Sequence, residues 1–441
     1  MTRIFGTHVY SAAAREGCWW DRTVDVPENP ELKGDLTTDV VVIGGGFTGI
    51  SAALHLAEAG VDVTVLEAER IGWGASGRNG GFCCLGGGMA SDAVLDARFG
   101  KEERRVYRQA ERAAIDLVDA LITRLDIDVD RHSRGETALA HRAKDMTALR
   151  KSAADIRENY GADVEVIEQA ELAAHGLGGP FFGALTIRAG FALNPRKYIS
   201  GLARAASNAG ARLYDRSPAT TLKRISAGWL VRTPGGSLRA KRVVVATNGY
   251  SSEHLPEWLA GRYMPVQSNV LVTQPLTDDD LSRQGWSSDQ MAFDTRNLLH
   301  YFRLMPDRRF LFGMRGGLMS GPAAQSRARL RIHRDFCAMF PAWSQVGIEG
   351  SWSGMVCLSR DMLPFVGHVP GASDLYAAMC YHGNGVAMGS YSGALMAQTL
   401  LGRHVLSHPV AMKQPLRRFP LGRCRRALMP LAYAGLMLAD R

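Results

Sequence analysis

The sequence predicts an α/β protein, α+β overall: a Rossmann-like nucleotide-binding domain joined to a second domain built on an antiparallel sheet. Three observations predict it. Residues 39–67 read as strand, glycine-rich turn, helix, strand and acid, in that order. Residues 262–316 change to short strand-like runs separated by polar turns, such as Val270–Thr273 and Phe310–Gly313. The chain has 441 residues, 46% hydrophobic and 22% charged, which is an ordinary globular balance with room for two domains.

The first elements carry most of the signal. Asp39–Ile43 is a β-branched run of the kind that forms a buried parallel strand. The turn Gly44-Gly45-Gly46-Phe47-Thr48-Gly49 contains the GxGxxG spacing. Gly44 serves the tight turn, Gly46 leaves room for a pyrophosphate against the backbone, and Gly49 lets the helix pack close to the strand. Residues 50–59 have helical composition and Gly60 stops the helix. Its N-terminus, with Phe47 and Thr48, offers free N–H groups to phosphates. Val61–Leu66 is the second strand, and Glu67-Ala68 follows it, with the acid 18 residues after Gly49. An acid there bonds ribose hydroxyls and repels a 2′-phosphate, which argues against NADP.

A second glycine cluster follows directly: Ile71-Gly72-Trp73-Gly74-Ala75-Ser76-Gly77-Arg78-Asn79-Gly80-Gly81. A fold that binds NAD would enter its next crossover helix here. A loop holding Gly74, Ser76, Arg78, Asn79, Gly80 and Gly81 reads instead as a second clamp on a longer cofactor, which points to FAD.

Downstream, residues 96–125 read as a long charged helix with a solvated face. Asn194-Pro195 opens another helix that ends near Gly210, and Ala211–Thr221 is strand-like. Trp229–Thr233 and Leu238–Ala246 read as a hairpin and strand joined at Pro234-Gly235-Gly236. That strand ends in Ala246-Thr247-Asn248-Gly249, a turn expected beside the cofactor, with Ala246 and Gly249 as contacts. Ser326–Phe340 reads as a helix, Leu375–Cys380 as a strand, and Tyr381–Val386 as the start of the last helix.

Composition narrows the function classes. No run reaches the roughly 18–20 apolar residues of a membrane span, and the N-terminus lacks a signal-peptide pattern. Seven cysteines with no CxxC pair argue against a disulfide framework and a zinc site, so no metal is expected and a cytoplasmic location fits. Net charge is +9, but residues 401–441 hold eight Lys/Arg against one Asp, which leaves only +2 elsewhere. No basic stripe for nucleic acid is indicated. The tail, with Arg417, Arg418, Arg423, Arg425 and Arg426 before an apolar stretch, is a candidate peripheral-membrane contact or a segment packed on its own domain.

The fingerprint, the GASGRNGG loop, the ATNGY segment at 246–250 and the C-terminal run together resemble the FAD-dependent D-amino-acid-oxidase superfamily. Within it they are most similar to the gamma-glutamylputrescine oxidase branch. Trp352-Ser353-Gly354 and Asp361–Gly367 resemble the family's WxG and DxxPxxG segments. The resemblance implies a glutathione-reductase-type flavoprotein with non-covalent FAD. Its FAD-binding domain would comprise 36–95, 190–260 and 350–402, with 96–189 and 261–349 forming the roof over the flavin and 403–441 a basic tail. It implies a backbone contact to adenine near Ala219, a contact at Gly354, and a last-helix start at Gly383, Asn384, Gly385 and Val386 against the flavin pyrimidine edge. The implied reaction is oxidation of a C–N bond in a small amine or N-substituted amino acid, by hydride transfer to flavin and hydrolysis of the imine. Alternatives are a flavoprotein subunit or modification enzyme acting on a larger substrate within a complex, and an NAD-linked dehydrogenase. Candidate substrate-orienting residues are Arg303, as a bidentate carboxylate anchor, Tyr301 on the same strand face, His382 and His300. Sarcosine oxidases of this superfamily place a lysine near flavin N5. This chain has no lysine between Lys241 and Lys413, so oxygen and another electron acceptor both stay open.

Overall fold

The computed structural model describes residues 3–440. The glycine-flanked strand β1 (Gly34–Ile43), helix α1 (Phe47–Glu58) and strand β2 (Val63–Leu66) form the predicted βαβ unit. They sit in a sheet ordered 365–368, 375–379, 236–245, 34–43, 63–66, 212–214, parallel apart from the first strand. Gly228–Thr233 and Gly236–Val245 make the expected hairpin, and Thr221–Ile225 adds a further antiparallel strand. Val40–Ile43 and Val63–Leu66 read as unbroken apolar strands because helices cover one face of this sheet and an apolar layer from residues 229, 255–263 and 357–380 covers the other.

The second sheet is ordered 348–359, 263–273, 310–315, 300–304, 291–294, 136–139, 183–187, 164–168. It is antiparallel except where Met291–Asp294 pairs in parallel with Glu136–Leu139. Behind it, Trp286, Phe302, Phe310, Phe336, Phe340 and Trp343 form a buried aromatic core against helix Pro322–Met339.

Two segments fall across the domain lines drawn from sequence. Helix Lys101–Arg124 was assigned to the roof with a solvated face, but it buries Tyr107, Ala110, Ala114, Val118 and Leu121 on the nucleotide side, against helix Ala387–Leu401. Even its charges are partly internal: Glu111 is fully buried, accepting from Arg108 Nη1 at 2.8 Å and Tyr160 Oη at 2.7 Å. Strand Ile348–Ser359, assigned to the nucleotide domain, pairs along its length with Tyr263–Thr273 of the roof.

The tail packs on its own protein. Arg425 is fully buried and donates to Glu253 Oε1 at 2.6 Å and to the Tyr263 carbonyl at 2.6 Å. Met429 and Tyr433 join an apolar cluster with Phe5, Tyr10, Met264 and Met355. Arg417, Arg418 and Arg423 stay at the surface. No described helix is long and apolar enough to cross a membrane.

Candidate active site

The first clamp is backbone. Gly44 has φ +109°, and a β-carbon there would stand 2.8 Å from the Ala246 carbonyl oxygen. A β-carbon at Gly49 would overlap the Gly44 carbonyl oxygen, so only glycine lets α1 approach the strand end this closely. The residue that precedes α1, Gly46, supplies no side-chain cap, and the first helical N–H is met by the loop residue Ser76. Glu67 accepts from Gly45 N at 2.7 Å and from Glu69 N at 3.0 Å, while burial pushes its carboxyl upward. Helix Ala387–Leu401 also starts without a side-chain cap. It crosses α1 closely: Gly393 lies on the Thr48 backbone, Ser51 Oγ donates to the Ser390 carbonyl at 2.7 Å, and Thr48 Oγ1 meets Tyr381 Oη at 2.8 Å. Both helix starts therefore face one cavity.

The second clamp is pinned by side chains. Ser76 Oγ accepts from Phe47 N at 2.9 Å. Arg78 donates to the Trp73 carbonyl at 2.9 Å and the Ser353 carbonyl at 3.1 Å, and lies 4.0 Å from the Trp73 ring. Asn79 donates to the carbonyls of Ala75 and Ser76 and accepts from Gly81 N. The indole N–H groups of Trp20 and Trp352 donate to the Asn79 and Arg78 carbonyls, at 2.9 and 2.8 Å. The loop is thus fixed from outside, and its inner surface is left for a ligand.

Between the two sheets lies a cavity of about 390 Å³. It runs from Glu67, Ala68 and Ala219, past Gly44, Gly46, Phe47, Thr48, Gly74 and Ser76, to Ala246, Gly354, Gly383, Asn384, Gly385 and Val386, and ends against the roof strands. Arg78, Asn79 and Gly80 line it as well. Gly49, Gly81 and Gly249 do not. Each is a packing glycine: a β-carbon at Gly81 would run into the Leu193 carbonyl oxygen, and one at Gly249 would stand 3.1 Å from Met355. The residues present fit FAD. Two helix starts without a cap from their own N-cap residues, and a cradle too narrow for β-carbons, suit a pyrophosphate. Arg78, one of the lining residues, keeps its Nη2 buried and without a partner, an orphan donor at the cavity wall.

The roof corrects the substrate-orienting assignments. Tyr301 lines the cavity, with its hydroxyl 3.0 Å from Ser268 Oγ and its ring edge-on to Phe82. Arg303 shares that strand face but lies outside the cavity. Loop 79–81 and Leu193 cover it, and its two terminal nitrogens meet the Leu193 carbonyl at 2.8 Å and His132 Nε2 at 2.9 Å, while its Nε is buried without a partner. Burial pulls it down to about 9 and, with Arg303 beside it, pulls His132 down to about 3. His300 faces the other side of the sheet, bonded to Asp294 at 2.8 Å and 3.5 Å from Asp335. His382 does line the cavity, but both ring nitrogens are used: Nδ1 donates to the Gly87 carbonyl and Nε2 accepts from Ser359 N, each at 3.1 Å. Burial holds it near 4, hence neutral, and it acts as a strut.

Two charged residues that sequence reasoning missed line the cavity from the roof. Arg315 donates to the His382 carbonyl at 3.2 Å, and burial lowers its pKa. Glu136 is 7% exposed, and burial pushes it up to about 7. The available signal was a charge set at one end of a short apolar strand, Arg315 at the end of Phe310–Arg315 and Glu136 at the start of Glu136–Leu139.

Comparison with known proteins agrees with this fold. Residues 39–399 match the FAD dependent oxidoreductase (DAO) family. The chain is 32% identical to the gamma-glutamylputrescine oxidoreductase of Escherichia coli over 84% of this chain and 85% of that one. It is 31% identical to the probable oxidoreductase OrdL of Rhizobium meliloti over 96% and 97%. Among solved structures, the glycine oxidase of Geobacillus kaustophilus superposes with a TM-score of 0.71 at 21% identity, covering 87% of this chain and all of the other. The chain belongs to the DAO family of FAD-dependent oxidoreductases.

Proposed function

We propose that this enzyme oxidises a C–N bond of a small aliphatic amine or amino acid that carries a carboxylate, as the names of its gamma-glutamylputrescine and glycine-oxidising relatives suggest. Bound FAD supplies the acceptor for the hydride carried off the carbon next to nitrogen. The resulting imine then takes up water to give an aldehyde or keto acid.

The observation that carries the carboxylate is Arg315. Its guanidinium is half-buried in the cavity wall, where desolvation lowers its pKa, bonded to one backbone carbonyl and, among the described residues, in no ion pair. A desolvated cation without a counter-charge is costly, and a substrate carboxylate supplies one through a bidentate pair. Tyr301 Oη and Ser268 Oγ stand beside it as neutral hydrogen-bonding groups, since Ser268 pairs with Arg315 across the strand ladder. The indole bonds from Trp20 and Trp352 hold the loop opposite that wall in place, which supports a preformed site that orients the substrate.

The test is an anaerobic titration of the yellow protein with amines, diamines and amino acids, followed by the visible flavin bands. Bleaching by a carboxylate-bearing amine is the expected result. Re-admitting air then separates an oxidase from a dehydrogenase. A flavin that no small amine bleaches would move the assignment to a larger substrate within a complex.

A further inference from the structure

The roof sheet presents one face to the cavity, and that face carries two charges of opposite sign that do not pair with each other. Arg315 stands on the strand 310–315 and Glu136 on the strand 136–139, with strands 300–304 and 291–294 between them. Three strand spacings across the sheet and a four-residue offset along it, since the register sets Glu136 level with Leu311, separate their backbones by roughly 19 Å. The register puts Glu136 beside Met291 and Phe293 beside Ala138, so Glu136 and Phe293 point the same way. Tyr301 pairs with Phe293 and completes the row. Among the described residues Glu136 is in no ion pair, and its carboxyl meets only the Cys84 thiol. A carboxyl this buried normally has a cation or several N–H donors. Here it faces ligand space.

We propose that Glu136 holds the nitrogen of the substrate and takes the proton that an alkylammonium must lose before its carbon can give up a hydride. The substrate is therefore dipolar, with its carboxylate toward Arg315 and its nitrogen toward Glu136. This assignment rests on the C–N oxidation reading above and names the substrate class for it. The step is a proton transfer alone: the N–H bond of the ammonium breaks, its pair stays on nitrogen, and the proton forms an O–H bond on Glu136. No oxidant is consumed in it. Other titratable or charged groups around the site would not substitute. Burial pushes the Cys84 and Tyr301 protons up and keeps them on, His382 is neutral with both nitrogens engaged, and Arg315 is a permanent cation. A carboxyl with its midpoint near neutrality is well placed to accept a proton from an amine at working pH.

The experiment uses the FAD-loaded enzyme and the Glu136→Gln and Glu136→Asp variants. Flavin bleaching is titrated anaerobically with propylamine, 1,4-diaminobutane and straight-chain ω-amino acids of two to six carbons, from pH 5.5 to 9. The expected result has three parts. The wild type prefers an ω-amino acid of one chain length over the matching monoamine. Its kcat/KM falls below about pH 7 as Glu136 is protonated. Glu136→Gln loses that acid limb and weakens binding roughly 10- to 100-fold, while Glu136→Asp restores part of both. FAD content and the melting curve show whether the variant is folded. Glu136→Gln with unchanged affinity and pH profile for the best amine would overturn the assignment and leave C–N oxidation standing. A wild-type flavin that none of these amines bleaches would overturn both.

Discussion

The two ends of the cavity are built on different principles. At the nucleotide end the ligand-facing surface is mainly backbone: Gly44–Gly46, the start of α1, the start of helix Ala387–Leu401 and the loop 74–80. Side chains there, such as Ser76, Arg78 and Asn79, mostly tie the loop to itself. At the roof end the surface is side chain, contributed by strands that lie far apart in the chain and meet only when the sheet forms. The first end recognises what every member of a cofactor class shares; the second is where one substrate is told from another. A backbone site is intolerant of any added atom, whereas a side-chain site can be altered residue by residue.

Glycine substitutions at the two ends should therefore fail differently. Gly49→Ala puts a β-carbon onto the Gly44 carbonyl oxygen, and backbone cannot swing aside as a flexible side chain can. The expected cost is about 3 kcal/mol or more, with loss of FAD, read as flavin absorbance per protein and the thermal midpoint. Gly313→Ala in the roof meets only the Tyr301 ring. That variant should keep its FAD and displace Tyr301, lowering kcat/KM for the best amine by roughly 10- to 100-fold. If both variants lost FAD equally, the division between the ends would be wrong.

The same division explains what the sequence disclosed. The βαβ unit was legible because its signals are local: a β-branched run, GxGxxG, a helix stop and an acid within residues 39–67. The antiparallel roof was legible from alternation, although the parallel pairing of Met291–Asp294 with Glu136–Leu139 was not, since nothing local marks which strand a distant segment will join. At the site, strand alternation placed Tyr301 and Arg303 on one face correctly. It could not show that loop 79–81 and Leu193 close over Arg303, nor that Arg315 and Glu136 arrive at the open part of the wall. Glycines misled for a related reason. Gly81 and Gly249 look like ligand contacts in sequence, but they are small because protein presses on them.

Two arginine variants sharpen this point. Arg315→Met should weaken binding of a carboxylate-bearing amine roughly 10- to 100-fold, because the charge-assisted bonds are lost. For a monoamine without a carboxylate it should change little. Arg303→Met removes a guanidinium already engaged by Leu193 and His132, so the affinity for either amine should stay within about threefold. The contrast is read as Kd from flavin titration. An Arg303 variant that selectively lost the carboxylate-bearing amine would reinstate the sequence assignment.

The smallest expected effect concerns stability and its sign. Burial raises the Glu136 carboxyl to about 7 from an ordinary value of 4.5. The folded protein thus binds a proton there that the unfolded chain has already released between those two values. Stability from this group is fully present below pH 4.5, is lost as pH rises toward 7, and is not regained above it. The shift corresponds to about 3 kcal/mol at most. Glu136→Gln keeps the shape and removes the titration. In FAD-loaded protein without substrate, it should melt above the wild type at pH 8 and level with it near pH 4.5. A residue that weakens the fold at working pH and still faces ligand space is one whose charge is needed for binding or chemistry. A variant that melts with the wild type at both pH values would show that Glu136 is already compensated in the resting enzyme. The roof would then hold one unmatched charge, Arg315, rather than two.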